Sequence, residues 1–307
     1  MSAPTDTLHD LTTAKAHFIE EAVESGGLFV HQPYEYYSET NQETWRQLYA
    51  ALEPQWRKYA NERFLEGLDQ LALDSGSIPR LRDVNRFLAP LSGFRARAVS
   101  GYVPAYLFFD CLRRREFPTT ITIRSPEKLD YLPEPDIFHD LAGHVPMHTD
   151  RVFADVLVRL GEVAHTAVKT LRQVSDPDER VRRLESVIKA MARFFWFTVE
   201  FGLMHRKEGG VCVYGSGLLS SRREIAYSVK SPAVGRHPFQ LEWVTHQHFE
   251  IDHFQPPLFV IESFDHLYEE VGRLERWVLE GRLDNVSAGE PSVNETDLRS
   301  FLEGAPG

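Results

Sequence analysis

Two histidines five positions apart, His139 and His144, are the side chains in this sequence that point most directly to metal chemistry. They lie in the segment Pro135-Asp136-Ile137-Phe138-His139-Asp140-Leu141-Ala142-Gly143-His144-Val145-Pro146. On a regular α-helix five residues advance about 500°, which leaves the two rings roughly 140° apart. Gly143 permits the backbone to deviate, either as a left-handed helix cap or within a π-type bulge. With such a deviation the two neutral imidazoles converge and form half of a metal site.

Glu200 is a third ligand candidate because it is the single carboxylate in the apolar run Phe194–Leu203. A buried ionised carboxylate must be paired, protonated or bound to a metal, since burial without a partner costs several kcal/mol. Taken alone, two histidines in an acidic segment that ends a helix are more often surface residues. Two histidines and one carboxylate together are the facial triad of non-haem Fe(II) oxygenases, which leaves coordination positions open. Asp136 or Asp140 is expected to fix the tautomer of a ligating imidazole.

The composition is that of a globular protein with enough apolar residues for a sizeable core, since 42% of the 307 residues are hydrophobic. The 34 basic and 45 acidic residues give a net charge of -11, which argues against nucleic acid or an anionic membrane as the partner. No apolar run approaches a membrane span, and the N-terminus lacks the pattern of a signal peptide. Cys111 and Cys212 are the only cysteines, so no disulfide framework is expected. We therefore expect a cytoplasmic protein.

Hydrophobic periodicity and helix-ending residues predict a mainly helical chain. A capping box at Thr40 and Glu43 is expected to open the first well-defined helix, and Pro54 to start a new one. The other helices are expected at about residues 77–88, 104–115, 150–173, 178–208 and 264–279, after one candidate helix within the first 30 residues. Strands are expected at about residues 94–103, 119–123 and 211–214. Four further histidines complete no recognised metal-ligand spacing and are interpreted as ordinary residues: His237, His246, His248 and His253.

Three segments of the chain occur in the order found in one enzyme family: Pro135–Pro146, Trp196–Leu203 and Tyr214–Ser221. They closely resemble the signature segments of the tetrahydropterin-dependent aromatic amino acid hydroxylases, and those of the bacterial members most of all. The resemblance runs from about Tyr37 to about Val271. It implies a mainly α fold with a small β component (α+β), organised as a single hydroxylase catalytic domain.

The resemblance also implies how the chain is divided. We expect an N-terminal arm or helix over residues 1–36, the catalytic hydroxylase domain over residues 37–282, and a polar, mobile C-terminal tail over residues 283–307. The regulatory domain and the tetramerisation helix of the animal enzymes have no counterpart in this sequence. We therefore expect a monomer.

The family pattern, carried over residue by residue, implies a role for each matching side chain. His139, His144 and Glu200 would bind Fe(II). The substrate positions are Arg124 and Ser220 for a carboxylate, Pro135, Trp196 and Phe201 for an aromatic ring, and Gly217 for close backbone approach. The pterin positions are Gly101, Tyr102, Val103, Phe108, Asp140 and Phe195, with Phe108 stacking on the cofactor. Asp136 would support the metal ligands.

Two positions depart from the animal enzymes, and a third position, Arg124, has two interpretations. Asp140 stands where those enzymes carry Glu, and Phe195 where they carry Tyr, so hydrogen bonding to the pterin should be shorter in reach and weaker. A charge at the end of an apolar strand, such as Arg124, usually faces solvent. The resemblance instead makes Arg124 the clamp for the substrate carboxylate, a task suited to its bidentate fork.

The implied reaction is the oxidation of L-phenylalanine to L-tyrosine by O2, with Fe(II) and a tetrahydropterin (tetrahydrobiopterin or a related compound) as cofactors. Hydroxylation of tryptophan, or of the meta position of phenylalanine, is the alternative within the family, because ring selectivity rests on few positions. A zinc hydrolase with the same three ligands is disfavoured because the sequence has no H-E-x-x-H base. A non-catalytic binding protein is disfavoured by the intact ligand set and by Arg124.

Overall fold

The computed structural model of the chain describes Leu11 and residues 28–101, 103–130, 135–249, 251 and 253–289. The candidate helix around Phe18–Val23 lies outside the described residues, and so does Tyr102. Helices make up most of the described secondary structure, which confirms the predicted α+β class with a small β component. None of the helices in these ranges combines the length and the apolar composition that a membrane span requires.

The elements follow one another as a series of helices interrupted by short strands. In chain order the α-helices are α1 (Glu39–Tyr59), α2 (Glu62–Leu71), α3 (Leu81–Ser92), α4 (Ala105–Arg113), α5 (Arg151–Leu171), α6 (Pro177–Phe195), α7 (Ser216–Leu219), α8 (Glu224–Lys230), α9 (Leu241–Val244) and α10 (Phe264–Leu279). The strands are β1 (Arg95–Val99), β2 (Glu116–Thr120), β3 (Leu203–His205), β4 (Val211–Val213), β5 (Gly235–Pro238) and β6 (Pro257–Ile261). Two π-helical turns are π1 (His139–His144) and π2 (Trp196–Glu200), and short 3-10 turns lie at Tyr34–Tyr36, Pro126–Lys128 and Met147–Thr149.

The chain divides into two compact units, each built from several segments. The first consists of Met1–Val103, Phe117–Asp150 and Cys212–Ser231. The second consists of Pro104–Glu116, Arg151–Val211 and Pro232–Gly307.

Helix α1 of the first unit begins before the predicted capping box. Ser38 is its N-cap: the hydroxyl accepts a hydrogen bond from the Asn41 N–H (3.2 Å), and the Asn41 side chain accepts one from the Ser38 N–H (3.1 Å). The prediction of a new helix at Pro54 was also wrong, because α1 runs through it. Pro54 and Ala50, whose carbonyl loses its usual partner, both lie on the exposed face. The buried face continues on both sides of the proline, with no exposed surface at Trp45, Leu48, Leu52 and Trp56.

Strands β1 and β2 form a two-stranded sheet. β1 confirms the predicted half-exposed strand, since Arg95 is exposed and Ala96 is buried. β2 begins three residues earlier than the predicted strand at 119–123 and ends at Thr120. The rest of that β-branched run pairs elsewhere, because the Ile123 N–H donates to the Leu11 carbonyl oxygen (2.9 Å).

Helix α5 organises the second unit and packs against α4 and α10. Gly161 allows α4 to approach, because a Cβ on this residue would lie 2.3 Å from the Phe109 carbonyl oxygen. Towards α10, the rings of Phe153 and Phe264 meet edge to face with centroids 5.3 Å apart. α10 has the bounds that the sequence predicts.

The helix predicted over residues 178–208 is shorter in the structure. α6 ends at Phe195, continues as π2 to Glu200, and is followed by strand β3. The prediction of helix for the residues of β3 was wrong. This segment pairs in parallel with β6, where Leu203 lies opposite Val260. Such a pairing between distant segments overrides local helical periodicity. The order of the four-stranded sheet is β4-β3-β6-β5.

The first part of the predicted C-terminal tail lies against α6. Leu283 has no exposed surface, and its carbonyl oxygen accepts a hydrogen bond from the Ser186 hydroxyl (2.6 Å). The oxygen of this hydroxyl accepts one from the Val286 N–H (2.8 Å). Residues 290–307 lie outside the described residues, and the domain boundaries at 36 and 282 stay predictions.

Candidate metal centre

The π-helical turn π1 brings the two histidine rings together. Hydrogen bonds in a π turn join residues five apart, so His139 and His144 fall on the same side of the chain. The Val145 N–H donates to the Asp140 carbonyl oxygen (3.1 Å) in a bond of this type. Nε2 of His139 and Nε2 of His144 lie 3.1 Å apart, and the two ring planes are at 89°. The predicted π-type deviation is confirmed.

Gly143 allows helix α7 to approach π1. A Cβ on this residue would lie 3.0 Å from the Ser216 carbonyl oxygen and 3.3 Å from Cβ of Ser220. Both distances are tighter than ordinary van der Waals contact, so a larger side chain would displace α7. The sequence predicted this glycine for its backbone freedom, and the structure shows that it also provides space.

Ser216, in α7, and Ser220, the residue that caps the C-terminus of α7, contact the two histidine rings. Oγ of Ser220 lies 2.8 Å from Nδ1 of His139, and Oγ of Ser216 lies 2.9 Å from Nε2 of His144. Because Ser220 engages its Nδ1, His139 presents Nε2 to the ring of His144. Ser216 was not predicted from the sequence. Its signal is the spacing of the two serines, since residues four apart share one face of a helix.

Glu200 completes the group of candidate ligands. It is the last residue of π2, which also contains the buried Phe197, Thr198 and Val199. One ligand atom from each of His139, His144 and Glu200 lies within 4.8 Å of the others. No other group of three or more His, Cys, Asp or Glu side chains meets this condition among the residues that the structure describes. The carboxylate that was expected to need a partner therefore has two imidazoles beside it.

The ligand set fits a divalent first-row metal ion. Two nitrogens that bind one metal at right angles, each about 2.1 Å from it, are about 3.0 Å apart. The observed separation of the two Nε2 atoms, 3.1 Å, is close to this value. Imidazole and carboxylate ligands suit iron, zinc and cobalt alike. The geometry supports a metal site, and the identity of the metal is inferred from the other residues around it.

Arg124 and Asp136 form a buried ion pair. The guanidinium donates from Nε to Oδ2 (2.7 Å) and from Nη2 to Oδ1 (2.9 Å) of the carboxylate. Asp136 has no exposed surface, and Arg124 is 3% exposed. Burial by itself raises the pKa of Asp136, but the charge and hydrogen bonds of Arg124 and the His139 N–H hold that pKa below its ordinary value. The interpretation of Arg124 as a solvent-facing strand end is therefore wrong.

Asp136 supports His139 through the backbone. Its Oδ1 accepts a hydrogen bond from the His139 N–H (2.9 Å), and its Oδ2 accepts one from the Arg124 N–H (2.9 Å). The tautomer-fixing contact expected from Asp136 or Asp140 is made at His139 by the Ser220 hydroxyl. Asp136 thus fixes the start of the histidine segment and the orientation of the guanidinium.

Arg124 keeps donors for a further ligand. Of the five N–H groups of a guanidinium, Asp136 takes one on Nε and one on Nη2, and the Leu129 carbonyl oxygen takes one on Nη1 at 3.3 Å. Two N–H groups, one on each terminal nitrogen, therefore remain uncommitted in the described structure. They are suited to charge-assisted hydrogen bonds with a carboxylate.

Trp196 begins π2, and Phe201 directly follows it. Their ring centroids lie 4.6 Å apart, with the planes at 34°. Phe249, which was not predicted, stacks on Trp196 with centroids 4.3 Å apart and planes at 14°. No sequence pattern links Phe249 to Trp196, because the two lie in segments distant along the chain. Of the other expected substrate positions, Pro135 is exposed and Gly217 is half-buried.

Comparison with known proteins identifies the family. The sequence model of one protein family, described as biopterin-dependent aromatic amino acid hydroxylase, matches residues 29–279. The chain belongs to this family. A phenylalanine-4-hydroxylase of Caulobacter vibrioides is 39% identical over 240 residues, which cover 78% of this chain and 76% of that protein.

Solved structures of Chromobacterium violaceum phenylalanine hydroxylase share the fold. One, with bound iron(III) and the oxidised cofactor 7,8-dihydrobiopterin, has a TM-score of 0.73 and 33% identity, covering 87% of this chain and 91% of that chain. Another, with iron and phenylalanine, has a TM-score of 0.72 and 32% identity, covering 87% of this chain and 92% of that chain. Since the family match runs through segments of both compact units, the prediction of a single catalytic domain of this family is confirmed.

The pterin positions expected from the family pattern are partly described. Phe108 and Phe195 are in edge-to-face contact with centroids 5.3 Å apart. Asp140 is 4% exposed, and its Oδ2 accepts a hydrogen bond from the Thr120 N–H (2.7 Å). Burial raises the pKa of Asp140 to about 7, although His144 and the hydrogen bonds from Thr120 act in the opposite direction. Gly101 and Val103 are half-buried, and Tyr102 lies outside the described residues.

Proposed function

We propose that this chain hydroxylates L-phenylalanine at the para carbon to form L-tyrosine, with O2 as the oxidant and Fe(II) and a tetrahydropterin as cofactors. One observation carries the proposal: the ligand atoms of His139, His144 and Glu200 lie within 4.8 Å of one another in a chain of this family. The name of the Caulobacter relative, phenylalanine-4-hydroxylase, supports the choice of substrate. The iron and dihydrobiopterin bound to the Chromobacterium enzyme support the choice of cofactors.

The three proposed ligands would hold the metal ion and leave coordination positions for small molecules. His139 would bind through Nε2, because Ser220 engages its Nδ1 at 2.8 Å. Three protein ligands on one face leave room for small molecules on the other. When bound, the iron and the pterin together supply the reduction of O2 and an oxygen atom for the aromatic ring. The chain contributes a fixed ligand geometry, in which Asp136 holds the backbone of His139 (2.9 Å).

The carboxylate of the amino acid would bind to Arg124. Two guanidinium N–H groups remain after the bonds to Asp136 and Leu129 are counted. Asp136 restrains the guanidinium on its other side, so that it need not be ordered when the substrate binds. Ser220, which the family pattern assigns to the same carboxylate, and Gly217, which it assigns to close backbone approach, stay part of the proposal. The Ser220 hydroxyl lies 2.8 Å from Nδ1 of His139, so its first role would be to orient this metal ligand.

The aromatic ring would lie against Trp196, Phe201 and Pro135. The side chains of Phe201 and Pro135 carry no hydrogen-bonding group, so a phenol hydroxyl or an indole N–H placed against them would lose its water partner. Leaving such a group unsatisfied costs about 1 to 3 kcal/mol. The benzyl ring of phenylalanine carries no such group, which is why we prefer it over tyrosine and tryptophan.

The pterin would be held by Gly101, Tyr102, Val103, Phe108, Asp140 and Phe195. Phe108 supplies an aromatic surface, and its edge-to-face contact with Phe195 (5.3 Å) keeps the ring in place. Phe195 has no hydroxyl to offer to the cofactor. We therefore propose that the pterin is bound chiefly by stacking and by backbone groups.

Oxygen consumption measured together with tyrosine formation tests the proposal. The protein is loaded with Fe(II) under anaerobic conditions and then supplied with O2, a tetrahydropterin and L-phenylalanine, with each component left out in turn. We expect consumption and tyrosine only when all are present, and neither in Glu200→Ala. Turnover that zinc supports and iron does not, or that needs no pterin, would contradict the proposal.

We further propose that the enzyme acts as a monomer in the cytoplasm. Cys111 and Cys212 are both buried thiols, which agrees with a cytoplasmic location. Light scattering after size-exclusion chromatography should give the mass of one chain. A dimer mass, or recovery of the native protein from a membrane or secreted fraction, would contradict these proposals.

A further inference from the structure

Phe249 covers part of the proposed ring-binding wall. Its ring stacks on that of Trp196 with the two planes nearly parallel (14°), at a centroid distance of 4.3 Å. It also meets Phe197 edge to face, with centroids 6.2 Å apart. Phe249 therefore contacts two neighbouring residues of π2. A substrate ring can touch only the part of Trp196 that Phe249 and Phe201 leave uncovered.

The segment that carries Phe249 is held by a buried arginine. Arg193, on the last turn of α6, has no exposed surface. Its Nη1 donates a hydrogen bond to the Thr245 carbonyl oxygen (3.1 Å). Thr245 lies directly after α9 and four residues before Phe249. Arg193 in turn lies three residues before Trp196, so one side chain connects the segments of both stacked rings.

The guanidinium of Arg193 also binds the C-terminal strap, which we define as residues 283–289. Nη2 donates to the Ser287 carbonyl oxygen (2.8 Å), and Nη1 contacts the Ser287 hydroxyl oxygen (3.1 Å). The Ser287 hydroxyl donates to the His246 carbonyl oxygen (3.2 Å). The strap is thus joined to residues 245–249 directly, through Ser287, and indirectly, through Arg193.

The strap has its own anchor on α6, and it lies beyond the part of the chain that the family model matches. Leu283 is fully buried, and the Ser186 hydroxyl bridges the Leu283 carbonyl oxygen (2.6 Å) and the Val286 N–H (2.8 Å). The family match ends at residue 279. The contacts that hold Phe249 therefore include a segment that the family pattern does not define.

We propose that the C-terminal strap, acting through Arg193, holds Phe249 on Trp196 and thereby sets the shape of the wall that receives the substrate ring. Arg193 and Phe249 are positioning residues, a role that rests on the proposed function of Trp196. When Phe249 is lost, the indole of Trp196 can leave its present orientation and the wall fits a benzyl ring less closely. Binding of phenylalanine weakens, and the larger ring of tryptophan is excluded less strictly.

Steady-state kinetics of full-length variants test the role of Phe249. Phe249→Leu removes the ring, and Phe249→Tyr keeps it. We expect Phe249→Leu to raise KM for L-phenylalanine about 2- to 12-fold, the value of one aromatic pair, with a smaller change in kcat. The ratio of tryptophan to phenylalanine turnover should rise as well. Phe249→Tyr should stay within about 2-fold of the wild type. An unchanged KM in Phe249→Leu would overturn the proposal.

Amide hydrogen exchange tests the strap without any need for activity. Arg193→Met should speed exchange in residues 245–249 and 283–289. It should also raise KM for L-phenylalanine, as Phe249→Leu does. Arg193→Lys should give values between those of Arg193→Met and the wild type. Arg182→Met is the matched control, because Arg182 also donates from α6 to the strap, at the Asp284 carbonyl oxygen (3.3 Å). Among the described residues Arg182 makes no hydrogen bond to residues 245–249, so their exchange should not change.

Equal exchange rates in Arg193→Met and the wild type would contradict the proposal. If Arg193→Met does not fold, the milder Ser287→Ala takes its place, with faster exchange expected at residues 245–249 and unchanged exchange contradicting the proposal. If the wild-type protein turns over neither amino acid, the proposed function fails, and the exchange rates still decide whether the strap holds Phe249.

Discussion

The hydroxyl oxygen of Ser220 lies 2.8 Å from Nδ1 of His139, whereas that of Ser216 lies 2.9 Å from Nε2 of His144. The two serines therefore differ in which nitrogen they contact. Ser220 contacts the nitrogen that faces away from the second imidazole, and Ser216 contacts a nitrogen that would bind the metal. A contact of the first kind orients a ligand, and one of the second kind must be given up when a metal binds.

We expect Ser220→Ala to weaken Fe(II) binding about 10- to 100-fold, the range found when a residue that orients a metal ligand is removed. Ser216→Ala is the matched control and should change the affinity by less than about 3-fold. Anaerobic titration with Fe(II), followed by protein fluorescence or calorimetry, measures both. If the two variants lost affinity equally, the assignment of Nε2 as the ligand atom of both histidines would be incorrect.

Arg124→Lys should raise KM for the amino acid while the protein still binds iron. Lysine keeps the charge but cannot make paired hydrogen bonds, and the loss of one charge-assisted bond, about 1.5 to 3 kcal/mol, corresponds to roughly 10- to 150-fold. The variant should also unfold more easily, because Asp136 loses part of a buried pair (2.7 and 2.9 Å). Steady-state kinetics and an iron titration measure the first two effects. An unchanged KM would show that the carboxylate is held elsewhere.

Glu224 should give the folded state a pH-dependent stability. It is 2% exposed, and its Oε2 has no hydrogen-bond partner among the described residues. Burial raises the pKa of this carboxyl from 4.5 to about 7, and the hydrogen bond with Ser221 opposes that shift. Between these values the folded state binds a proton that the unfolded state has released. The stabilisation is therefore complete below pH 4.5 and is lost as the pH rises to about 7.

The variant Glu224→Gln isolates this effect, because glutamine stays neutral at every pH. Relative to this variant, the free energy of unfolding of the wild type should fall by about 2 to 3 kcal/mol between about pH 5 and about pH 8, since one pKa unit corresponds to about 1.4 kcal/mol. Urea unfolding of both proteins at the two pH values provides the measurement. A difference that stays constant with pH would mean that Glu224 is ionised in the folded state.

The candidate metal ligands could be predicted from the sequence because their signals are local. The spacing of His139 and His144 excludes a regular helix, and Gly143 between them indicates where the backbone deviates. Glu200 is conspicuous as a charge within an apolar run. Each signal lies within one short segment, and π1 and π2 are the local structures that these segments form.

The contacts that support the ligands could not be predicted in this way, because they join segments distant along the chain. Ser216 and His144 are 72 residues apart, and Ser220 and His139 are 81 residues apart. The helix boundaries failed for the same reason. Burial on both sides of Pro54 carries α1 through the proline, and pairing with β6 turns the end of a predicted helix into β3.

Identification of the products formed from three amino acids tests the proposed function most directly. Iron-loaded protein and a tetrahydropterin are incubated with L-phenylalanine, L-tyrosine or L-tryptophan in air, and the products are separated by chromatography. We predict para-tyrosine as the main product and slower turnover of the other two amino acids, since an unsatisfied polar group against Pro135 and Phe201 costs about 1 to 3 kcal/mol. Mainly meta-tyrosine, or faster turnover of tryptophan than of phenylalanine, would contradict the assignment.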